Sequence, residues 1–335
     1  MKPTIYDVAK AAGVSIATVS KVINNTGRIS EETKKKVLDV MEELRYQPSV
    51  VASALTGKRT YTIGLLIPDL ANPFFAEIAR SVEDRGQELG FSVVMCSTDN
   101  DSKKEAKYIS LLKQKSVDGI VLAAGFQNDT VLKELVQEKF PLALIAREIP
   151  ELAIDSVVLD DFLGGYQVTE HLLSLGHRRI AVLAEKARSS KERIRGYRHA
   201  LQNAGIEFDQ SLILASEATV EKGYRNTVQL LDSSDPPTAI FATNDLLAIG
   251  VIQAGRERGI GVPDDLSVVG FDNTILAAIV DPPLTTVAQP IHEMGRQVMD
   301  ILIQRIEDEK KMKQRVVLLP ELVIRKSTKP LQVKK

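Results

Sequence analysis

Residues 4–25 read TIYDVAKAAGVSIATVSKVINN, and this stretch decides the fold of the amino-terminal part of the chain. Apolar residues at positions 5, 8, 9 and 12 follow the spacing of one helix face. Gly13 ends that helix, Ser15 is a suitable N-cap for a second helix, and Ser30 is one for a third. Three short helices within residues 1–46, the first two joined by a tight glycine turn, predict an all-α helix-turn-helix domain.

Residues 47–60 differ from the helices before them. Pro48 fits the first turn of a short helix, and Gly57 would end that helix. A helix this short is not stable by itself in water. We therefore expect a hinge or linker that becomes helical only when another surface packs against it.

The remainder, residues 61–335, alternates short apolar segments with amphipathic ones. The predicted strands are 62–67, 91–97, 118–123, 142–146, 156–159, 179–184, 212–215, 239–243 and 266–271. Continuous apolar strands separated by helices are typical of parallel sheets covered on both faces. A break at residues 160–178 divides the strands, so we predict a core of two doubly wound α/β subdomains. Ligands of such folds bind at the carboxyl ends of the strands, in the crevice between the two halves.

The net charge of residues 1–60 differs in sign from that of the rest of the chain. All 335 residues together carry a formal charge of −1, with 44% hydrophobic and 26% charged residues, as in a soluble globular protein. Residues 1–60 hold ten Lys or Arg and six Asp or Glu, a charge of +4, which leaves −5 for the rest. A basic amino-terminal domain on an acidic core favours a nucleic-acid partner for that domain alone.

Targeting and redox features place the protein in the cytoplasm. Cys96 is the single cysteine, so no intrachain disulfide can form, and we expect it to be buried on a strand. The chain has no apolar run long enough for a membrane span, and residues 1–13 lack the apolar segment of a signal peptide. We therefore expect a cytoplasmic protein that makes no membrane contact.

Motifs for catalysis are missing. The four histidines show no metal-ligand spacing, and we expect each to lie on an exposed helix or at a helix end: His171, His177, His199 and His292. Gly259 and Gly261 precede a Val-Pro-Asp sequence instead of opening a helix, so they are no dinucleotide fingerprint. The sequence holds neither a Walker loop nor a Gly-x-Ser-x-Gly elbow. We predict no catalytic residue, no metal and no cofactor.

The second helix carries polar side chains on its outward face. They are Ser15, Thr18, Ser20, Lys21, Asn24 and Asn25. Hydroxyl, amide and ammonium groups can donate to phosphate oxygens and reach base edges when a helix lies in the major groove. On composition alone, an ordinary solvated helix face remains the alternative.

Further motifs follow in order along the chain. They are Tyr46-Gln47-Pro48, Ala242-Thr243-Asn244-Asp245, Gly270-Phe271-Asp272 and Thr285-Thr286-Val287. Together with residues 4–24, and continuing to residue 328, they resemble the signature of the LacI/GalR family of bacterial transcription regulators. Within the family the chain is most similar to the bacillary degradation-activator branch. The resemblance implies a helix-turn-helix head on a core like that of the type I periplasmic binding proteins.

The resemblance also implies a set of DNA-binding residues. Ile16, Ala17 and Lys21 stand at the family's base-reading positions, where many members have Arg in place of Lys21. Positions that hold phosphates in the family are occupied by Thr4, Tyr6, Ser15, Thr18, Ser20, Asn24, Ser30, Thr33 and Tyr46. Leu55 matches the hinge leucine that two subunits insert into the minor groove at the centre of a palindrome. A simple linker anchor is the alternative role for Leu55.

An effector site is implied in the crevice of the core. The matching positions are Asp69, Asn72, Phe74, Arg147, Asp161, Ser189, Arg193, Asn244, Asp272 and Gln289. Arg193, Asn244 and Asp272 offer donors and an acceptor for a hydroxylated or anionic molecule, such as a sugar or phosphorylated metabolite. Asn244 and Asp272 could instead cap loops between strands and helices. Ala146 stands where members often have Asp.

These observations predict a homodimeric repressor that binds a pseudo-palindromic operator in double-stranded DNA. A small-molecule effector in the core would modulate its DNA affinity through the hinge. A periplasmic-type binding protein would share the core, but the missing signal peptide and the basic head disfavour it. A sugar-processing α/β enzyme would need a catalytic group that the sequence does not offer.

Overall fold

The structure is a computed structural model that describes residues 3–23, 26–46 and 59–331. It divides into two compact units, Met1–Thr60 and Tyr61–Lys335. The first is called the head here and the second the core. In the parts of the chain that the structure describes, no helix has the length and apolar character needed to cross a membrane.

The head contains the three predicted helices. They are α1 (Ile5–Ala12), α2 (Ile16–Ile23) and α3 (Glu31–Glu43). Gly13 ends α1 in the left-handed conformation at φ 65°, which glycine adopts without steric cost. The Ser15 hydroxyl accepts from the Thr18 amide at 3.1 Å, and the Ser30 hydroxyl accepts from the Thr33 amide at 3.2 Å. The predicted end of α1 and the N-caps of α2 and α3 are confirmed.

Small apolar side chains form the interior of the head. The buried members are Val8, Ala9, Ala12, Val19, Val22 and Val37. Valine and alanine let the three helices approach closely, and they leave the polar side chains of α2 on the surface. The head thus uses its few buried residues to hold one helix face outward.

The core contains two six-stranded sheets, each with helices on both faces. The first sheet has the order β11-β5-β4-β3-β1-β2, formed by β1 (Thr62–Ile67), β2 (Ser92–Ser97), β3 (Gly119–Ala123), β4 (Leu142–Ile145), β5 (Asp155–Leu159) and β11 (Arg315–Leu318). The second has the order β12-β10-β9-β8-β6-β7, formed by β6 (Ile180–Glu185), β7 (Ile213–Ser216), β8 (Ala239–Ala242), β9 (Ser267–Asp272), β10 (Thr285–Ala288) and β12 (Glu321–Val323). All strand pairs are parallel except β10 with β12. The predicted pair of parallel-sheet subdomains is confirmed; we call them lobe 1 and lobe 2.

Nine helices of the described core connect and cover these strands. They are α4 (Pro73–Glu88), α5 (Ser102–Gln114), α6 (Asp129–Gln137), α7 (Asp161–Ser174), α8 (Arg188–Asn203), α9 (Val220–Leu231), α10 (Asp245–Glu257), α11 (Ile275–Ile279) and α12 (Ile291–Glu307). The α12 helix packs on α4 and on β3, β4 and β5, so it belongs to lobe 1 although it follows lobe 2 in sequence. Helices α7 to α11 cover lobe 2.

Three strands were missing from the sequence prediction. The division at residues 160–178 separates the nine predicted strands correctly, but it is one of three passages between the lobes. The chain passes between the lobes after β5, after β10 and after β11. β11 and β12 are edge strands with exposed side chains, so they lack the continuous apolar run of a central strand. β10 is buried, but it begins with Thr285 and Thr286, whose hydroxyl groups interrupt the apolar run by which a buried strand is predicted. The expected burial of Cys96 on β2 is confirmed.

His177 lies at the end of α7, as predicted, but its burial was not foreseen. This residue is buried, and its Nδ1 lies 3.0 Å from the Thr238 hydroxyl while its Nε2 lies 3.0 Å from the Ser267 hydroxyl. The partners come from segments 61 and 90 residues away, so local sequence could not indicate them. Burial lowers the pKa of His177 and holds the ring neutral.

Candidate nucleic-acid interface and ligand cleft

The α2 helix and the adjacent helix ends present the candidate DNA-binding residues on the head surface. Ile16 is 40% exposed and Tyr6 is 68% exposed. The residues placed at the surface are Thr4, Tyr6, Ser15, Ile16, Ala17, Lys21 and Ser30, with Thr18, Ser20, Thr33 and Tyr46 partly exposed. Asn24 and Leu55 lie outside the described residues.

Local hydrogen bonds hold hydroxyl groups at the starts of these helices. The Ser15 and Thr18 hydroxyls are 2.9 Å apart, and the Ser30 and Thr33 hydroxyls are 2.8 Å apart. The unbonded amides of a helix N-terminus and nearby hydroxyls are donors suited to phosphate oxygens. Each pair can therefore serve both as a cap and as a phosphate contact.

Asp7 fixes the start of α1. Its carboxylate accepts from the Thr4 amide and the Thr4 hydroxyl, both at 2.7 Å. These two hydrogen bonds lower the pKa of Asp7, so the carboxylate stays charged. The neighbouring Tyr6 is thereby held on a well-defined first turn with its ring exposed.

A cavity in the core lies where the two lobes face each other. About 440 Å³ of space free of protein atoms, part of it open to solvent, lies within the lining residues. Its lining combines the carboxyl ends of strands with the first turns of helices: Asn72, Phe74, Phe75, Ala124, Ala146, Leu159, Asp161, Glu185, Ser189, Arg193, Asn244, Asp272 and Gln289. This is the place where doubly wound sheets bind ligands.

Eight of the ten predicted effector residues line this one cavity. They are Asn72, Phe74, Asp161, Ser189, Arg193, Asn244, Asp272 and Gln289. Asp69 and Arg147 are not part of its lining. The Asp69 carboxylate accepts from the Ala71 amide at 2.8 Å and so shapes the turn before α4. Burial lowers the pKa of Arg147, which the charges of Asp129 and Glu105 partly offset.

Arg193 is the buried centre of the lobe 2 wall. Its Nε donates to Asp161 at 2.8 Å, its Nη1 donates to the Thr243 carbonyl, and its guanidinium carbon lies 3.5 Å from the centre of the Phe271 ring. Burial disfavours the charge of Arg193, but nearby carboxylates outweigh this and raise its pKa. The guanidinium is therefore fixed in position and permanently charged.

Two glycines allow Arg193 to occupy this place. A Cβ on Gly165 of α7 would lie 2.0 Å from the Arg193 carbonyl oxygen, and one on Gly196 of α8 would lie 2.1 Å from the Phe162 carbonyl oxygen. Only glycine permits backbones to approach this closely. The contact of α7 with α8 thus sets the distance between Asp161 and Arg193.

Asp272 and Asn244 have structural partners as well as cavity contact. The Asp272 carboxylate accepts from Gln289 Nε2 at 2.7 Å, and burial raises the pKa of Asp272 well above its usual value. Asn244 caps α10 because its Oδ1 accepts from the Leu247 amide at 2.9 Å. The capping role foreseen as an alternative for Asn244 is present, and the residue also lines the cavity.

Sequence reasoning missed five lining residues: Phe75, Ala124, Ala146, Leu159 and Glu185. Leu159 and Glu185 end β5 and β6, while Ala124 and Ala146 directly follow β3 and β4. The carboxyl end of every predicted strand was therefore the signal that could have found four of them. Phe75 is the next residue after Phe74, with ring centres 5.1 Å apart.

Two family profiles match this chain. The profile described as "Bacterial regulatory proteins, lacI family" matches residues 4–49, and the "Periplasmic binding protein-like domain" matches residues 169–328. The chain is also 54% identical to the HTH-type transcriptional regulator DegA of Bacillus subtilis, over 99% of each chain. That relative and others with similar coverage are transcriptional regulators, not enzymes.

Solved structures match over almost the entire chain. The lac repressor dimer bound to operator and the anti-inducer ONPF aligns with a TM-score of 0.87 and 30% identity, covering 98% of this chain and 100% of that one. A complex of the transcriptional regulator CelR with cellobiose aligns with a TM-score of 0.75 and 33% identity, covering 97% and 99%. Head and core thus both have counterparts in single proteins of this kind.

Proposed function

This chain belongs to the LacI family of DNA-binding transcriptional regulators, and from that premise we propose that it is a homodimeric repressor of a pseudo-palindromic operator. A small molecule in the cleft between the lobes modulates its affinity for DNA. The observation that carries the proposal is the combination, in one chain, of an exposed α2 surface and a walled cleft at the strand ends. A ligand-controlled regulator needs both sites, because the α2 surface binds DNA and the cleft binds the small molecule.

On the DNA side, α2 lies in the major groove of each half-site. Lys21 contacts a guanine edge, while Ile16 and Ala17 contact thymine methyl groups or read groove shape. The phosphate contacts come from the hydroxyl, amide and aromatic groups around them, namely Thr4, Tyr6, Ser15, Thr18, Ser20, Asn24, Ser30, Thr33 and Tyr46. The basic charge of residues 1–60 favours this surface over the acidic core.

Residues 47–60 form the hinge in this proposal, with domains at 1–46 and 61–335 on either side. Leu55 of both subunits inserts into the minor groove at the centre of the operator. Ligand-dependent closure of the two lobes changes the spacing of the hinges in the dimer. Closure therefore shifts the balance between DNA-bound and free protein, as allosteric coupling requires.

The relatives support the ligand side. The solved CelR structure contains cellobiose, and the aligned lac repressor contains ONPF together with operator. The cleft of this chain presents Arg193, Asn244 and Asp272, which suit a hydroxylated compound. We place the protein in the cytoplasm because an operator-binding repressor acts where the bacterial chromosome lies.

A periplasmic-type binding protein was the alternative function. The match of residues 4–49 to the lacI family profile disfavours it, since a transport receptor has no use for a DNA-binding head. We expect operator binding to depend entirely on this head.

The test begins with selection of duplex DNA from a random library by the full chain. The selected site should be a two-fold repeat, and gel-shift assays should show one dimer per site. Deleting residues 1–58 should abolish binding while leaving a folded core by circular dichroism and a dimer by light scattering. Selection of no consensus, or DNA binding by the truncated core, would refute the proposal.

A further inference from the structure

Two carboxylates of lobe 1 reach across to lobe 2. Glu148 follows β4 in lobe 1, and its Oε1 lies 3.3 Å from Arg188 Nη2 at the start of α8 in lobe 2. Glu77 lies on α4 in lobe 1, and its carboxylate accepts from the backbone amide of Ile275, the first residue of α11 in lobe 2. Both contacts therefore join the lobes directly, in addition to the segments of chain that pass between them.

Both contacts lie next to residues of the cleft. Ser189, which follows Arg188 on α8, lines the cavity, and so does Phe74, which lies one helical turn before Glu77 on α4. Each contact has one partner in either lobe. The lobes can therefore move apart only if both contacts are broken.

The starts of the helices in lobe 2 show why partners from lobe 1 are needed. Three of these helices are capped by a side chain of their own lobe, namely Asp160 before α7, Thr219 before α9 and Asn244 before α10. The α8 helix follows Ala187, whose methyl group accepts no hydrogen bond. The α11 helix follows Thr274, whose hydroxyl donates to Asp245 at 2.9 Å and does not cap the helix. In the described part of lobe 2, the helices without a side-chain cap are the two that lobe 1 contacts.

Glu77 supplies an acceptor at the start of α11. The first amides of a helix have no partner within the helix, and a carboxylate is a strong acceptor for them. Burial raises the pKa of Glu77, and the hydrogen bond from the Ile275 amide opposes that rise. Separation of the lobes would remove this acceptor, and loss of a cap destabilises a helix.

Glu148 is shared between two arginines. Its Oε2 pairs with Arg315 Nε, which belongs to β11 of the same lobe. The Glu148 side chain is 18% exposed, whereas those of Arg188 and Arg315 are 48% and 60% exposed. The pair within lobe 1 restrains the carboxylate, so less side-chain entropy is lost when Arg188 binds it from lobe 2.

We propose that Glu77 and Glu148 form a clasp, through Ile275 and Arg188, that favours the closed arrangement of the lobes independently of any ligand. Ligand-dependent closure then acts only on the open population that remains, so the strength of the clasp sets how much closure an effector can add. This consequence for regulation rests on the proposed function. The clasp itself is tested without DNA and without effector, so the two proposals can fail separately.

The test measures how often the cleft opens, by the alkylation rate of a cysteine on its wall. Leu159 is 6% exposed and lines the cavity, so the thiol of Leu159→Cys should react with a bulky maleimide only when the lobes separate. Cys96→Ala removes the native thiol from this probe protein. When reclosing is faster than alkylation, the rate is proportional to the population of the open form.

Two variants weaken the clasp, and a third is the matched control. Arg188→Gln removes the cation of lobe 2, and Glu77→Ala removes the acceptor at α11. Each should raise the alkylation rate about threefold, and the double variant should raise it about tenfold. Arg315→Gln removes the other cation of the same carboxylate, but this pair lies within lobe 1. It should not raise the rate.

Salt distinguishes the two contacts of the clasp. Raising sodium chloride from about 0.1 M to about 1 M shortens the Debye length from about 10 Å to about 3 Å. The alkylation rate, divided by that of glutathione in the same buffer, should therefore rise in the probe protein and in Glu77→Ala. It should not rise in Arg188→Gln, because that variant has already lost the ion pair.

Three results would overturn the inference. They are an unchanged alkylation rate in Arg188→Gln, an unchanged rate in Glu77→Ala, and a rise in Arg315→Gln equal to that in Arg188→Gln. Circular dichroism and urea unfolding check that global unfolding does not expose the thiol. Ala124→Cys, on the lobe 1 wall, is the second probe if Leu159→Cys does not fold. Operator selection by the unaltered chain decides the proposed function separately.

Discussion

The head and the core place their functional groups in opposite environments. In the head, Tyr6 is 68% exposed and Ile16 is 40% exposed, and a few buried valines and alanines support them from below. In the core, Arg193, Asn244 and Asp272 are 4%, 3% and 6% exposed. The head contacts its partner through groups that are exposed to solvent. The polar groups of the core are shielded from water and need hydrogen bonds within the protein instead.

This difference predicts which changes affect stability and which affect only recognition. A buried ionic or amide group is held by several partners, so removing one leaves the others unsatisfied. The Lys21 side chain on α2 is instead exposed to solvent. Substitutions inside the core should therefore lower the free energy of unfolding, whereas those on α2 should change DNA binding alone.

The largest effect is expected inside lobe 1. Arg305 donates to the fully buried Asp155 at 2.9 Å and also to the carbonyl oxygens of Glu309, Lys311 and Met312. Arg305→Met should lower the free energy of unfolding by about 3 kcal/mol, because the buried Asp155 carboxylate keeps only the more distant cation of Lys313, at 3.5 Å. Urea unfolding of the full chain measures this loss. Arg80→Met is the control: its pair with Asp84 is exposed, so a change below about 0.5 kcal/mol is expected. Equal losses of stability in Arg305→Met and Arg80→Met would contradict the expected difference between a buried and an exposed ion pair.

The next effect concerns the contact of α7 with α8. Gly165→Ala would place a methyl group 2.0 Å from the Arg193 carbonyl, so the helices must separate. We expect a loss of about 3 kcal/mol in the free energy of unfolding, at the upper end for overpacking. Binding of any cleft ligand should weaken as well, because Arg193 moves. Gly205→Ala is the control for backbone strain alone, because Gly205 has a positive φ and a Cβ there would have no neighbour within 4 Å. We expect it to lower the free energy of unfolding by about 1 kcal/mol. A smaller loss for Gly165→Ala than for Gly205→Ala would show that the close helix contact is not required.

A smaller effect, limited to recognition, is expected on α2. Lys21→Ala should reduce discrimination at one base pair by about 1–3 kcal/mol, whereas Thr18→Ala should weaken binding to all sequences alike. Site selection from a random library measures the base preference of each variant. Thermal unfolding should be unchanged for Lys21→Ala, which has an exposed side chain. Equal loss of base preference in both variants would remove Lys21 from its proposed role.

The smallest effect is a pH dependence that arises in lobe 2. Burial lowers the pKa of His177 and of His171, so the unfolded chain binds protons more readily than the folded one. Stability is therefore fully present above the unfolded value of about 6.5 and is lost as the pH falls below it. Urea unfolding at about pH 7.5 and about pH 6 should show this decrease, and the decrease should shrink in His177→Gln.

Buried carboxyl groups of lobe 2 oppose the histidines as the pH falls. Burial raises the pKa of Asp245 to about 6 and also raises the pKa of Asp272 and of Glu185, so protonation of these groups favours the folded state. An unchanged pH dependence in His177→Gln would assign the effect to other groups.

Local patterns predicted the features that depend on neighbouring residues. Gly13, Ser15 and Ser30 identified helix boundaries in the head because capping is decided within a few residues. The central strands of both sheets were recognised from their continuous apolar sequence. β11 and β12 were missed because an edge strand has an exposed side and looks like a loop in sequence.

The cleft was predicted only where its residues begin helices or carry polar groups. Glu185 was missed although it lies at the end of a predicted strand, since an acidic residue in that position is normally solvated. Its place in the cleft comes from the lobes facing each other across it, and that is a property of the tertiary fold. His177 is the corresponding case for stability, because its partners lie far away in sequence.

The three passages of the chain between the lobes constrain how the protein is made. Lobe 1 begins with β1, but α12 and β11 belong to it and lie beyond almost all of lobe 2. On the ribosome, the lobe that emerges first has Ile63, Leu65 and Val121 covered by α4 alone until Met294, Val298 and Leu302 are synthesised. A nascent chain cut off before residue 291 would therefore expose the interior of its oldest lobe, and quality-control proteases recognise such a surface. Because lobe 1 is completed last, proteases can degrade an incomplete chain before it binds an operator.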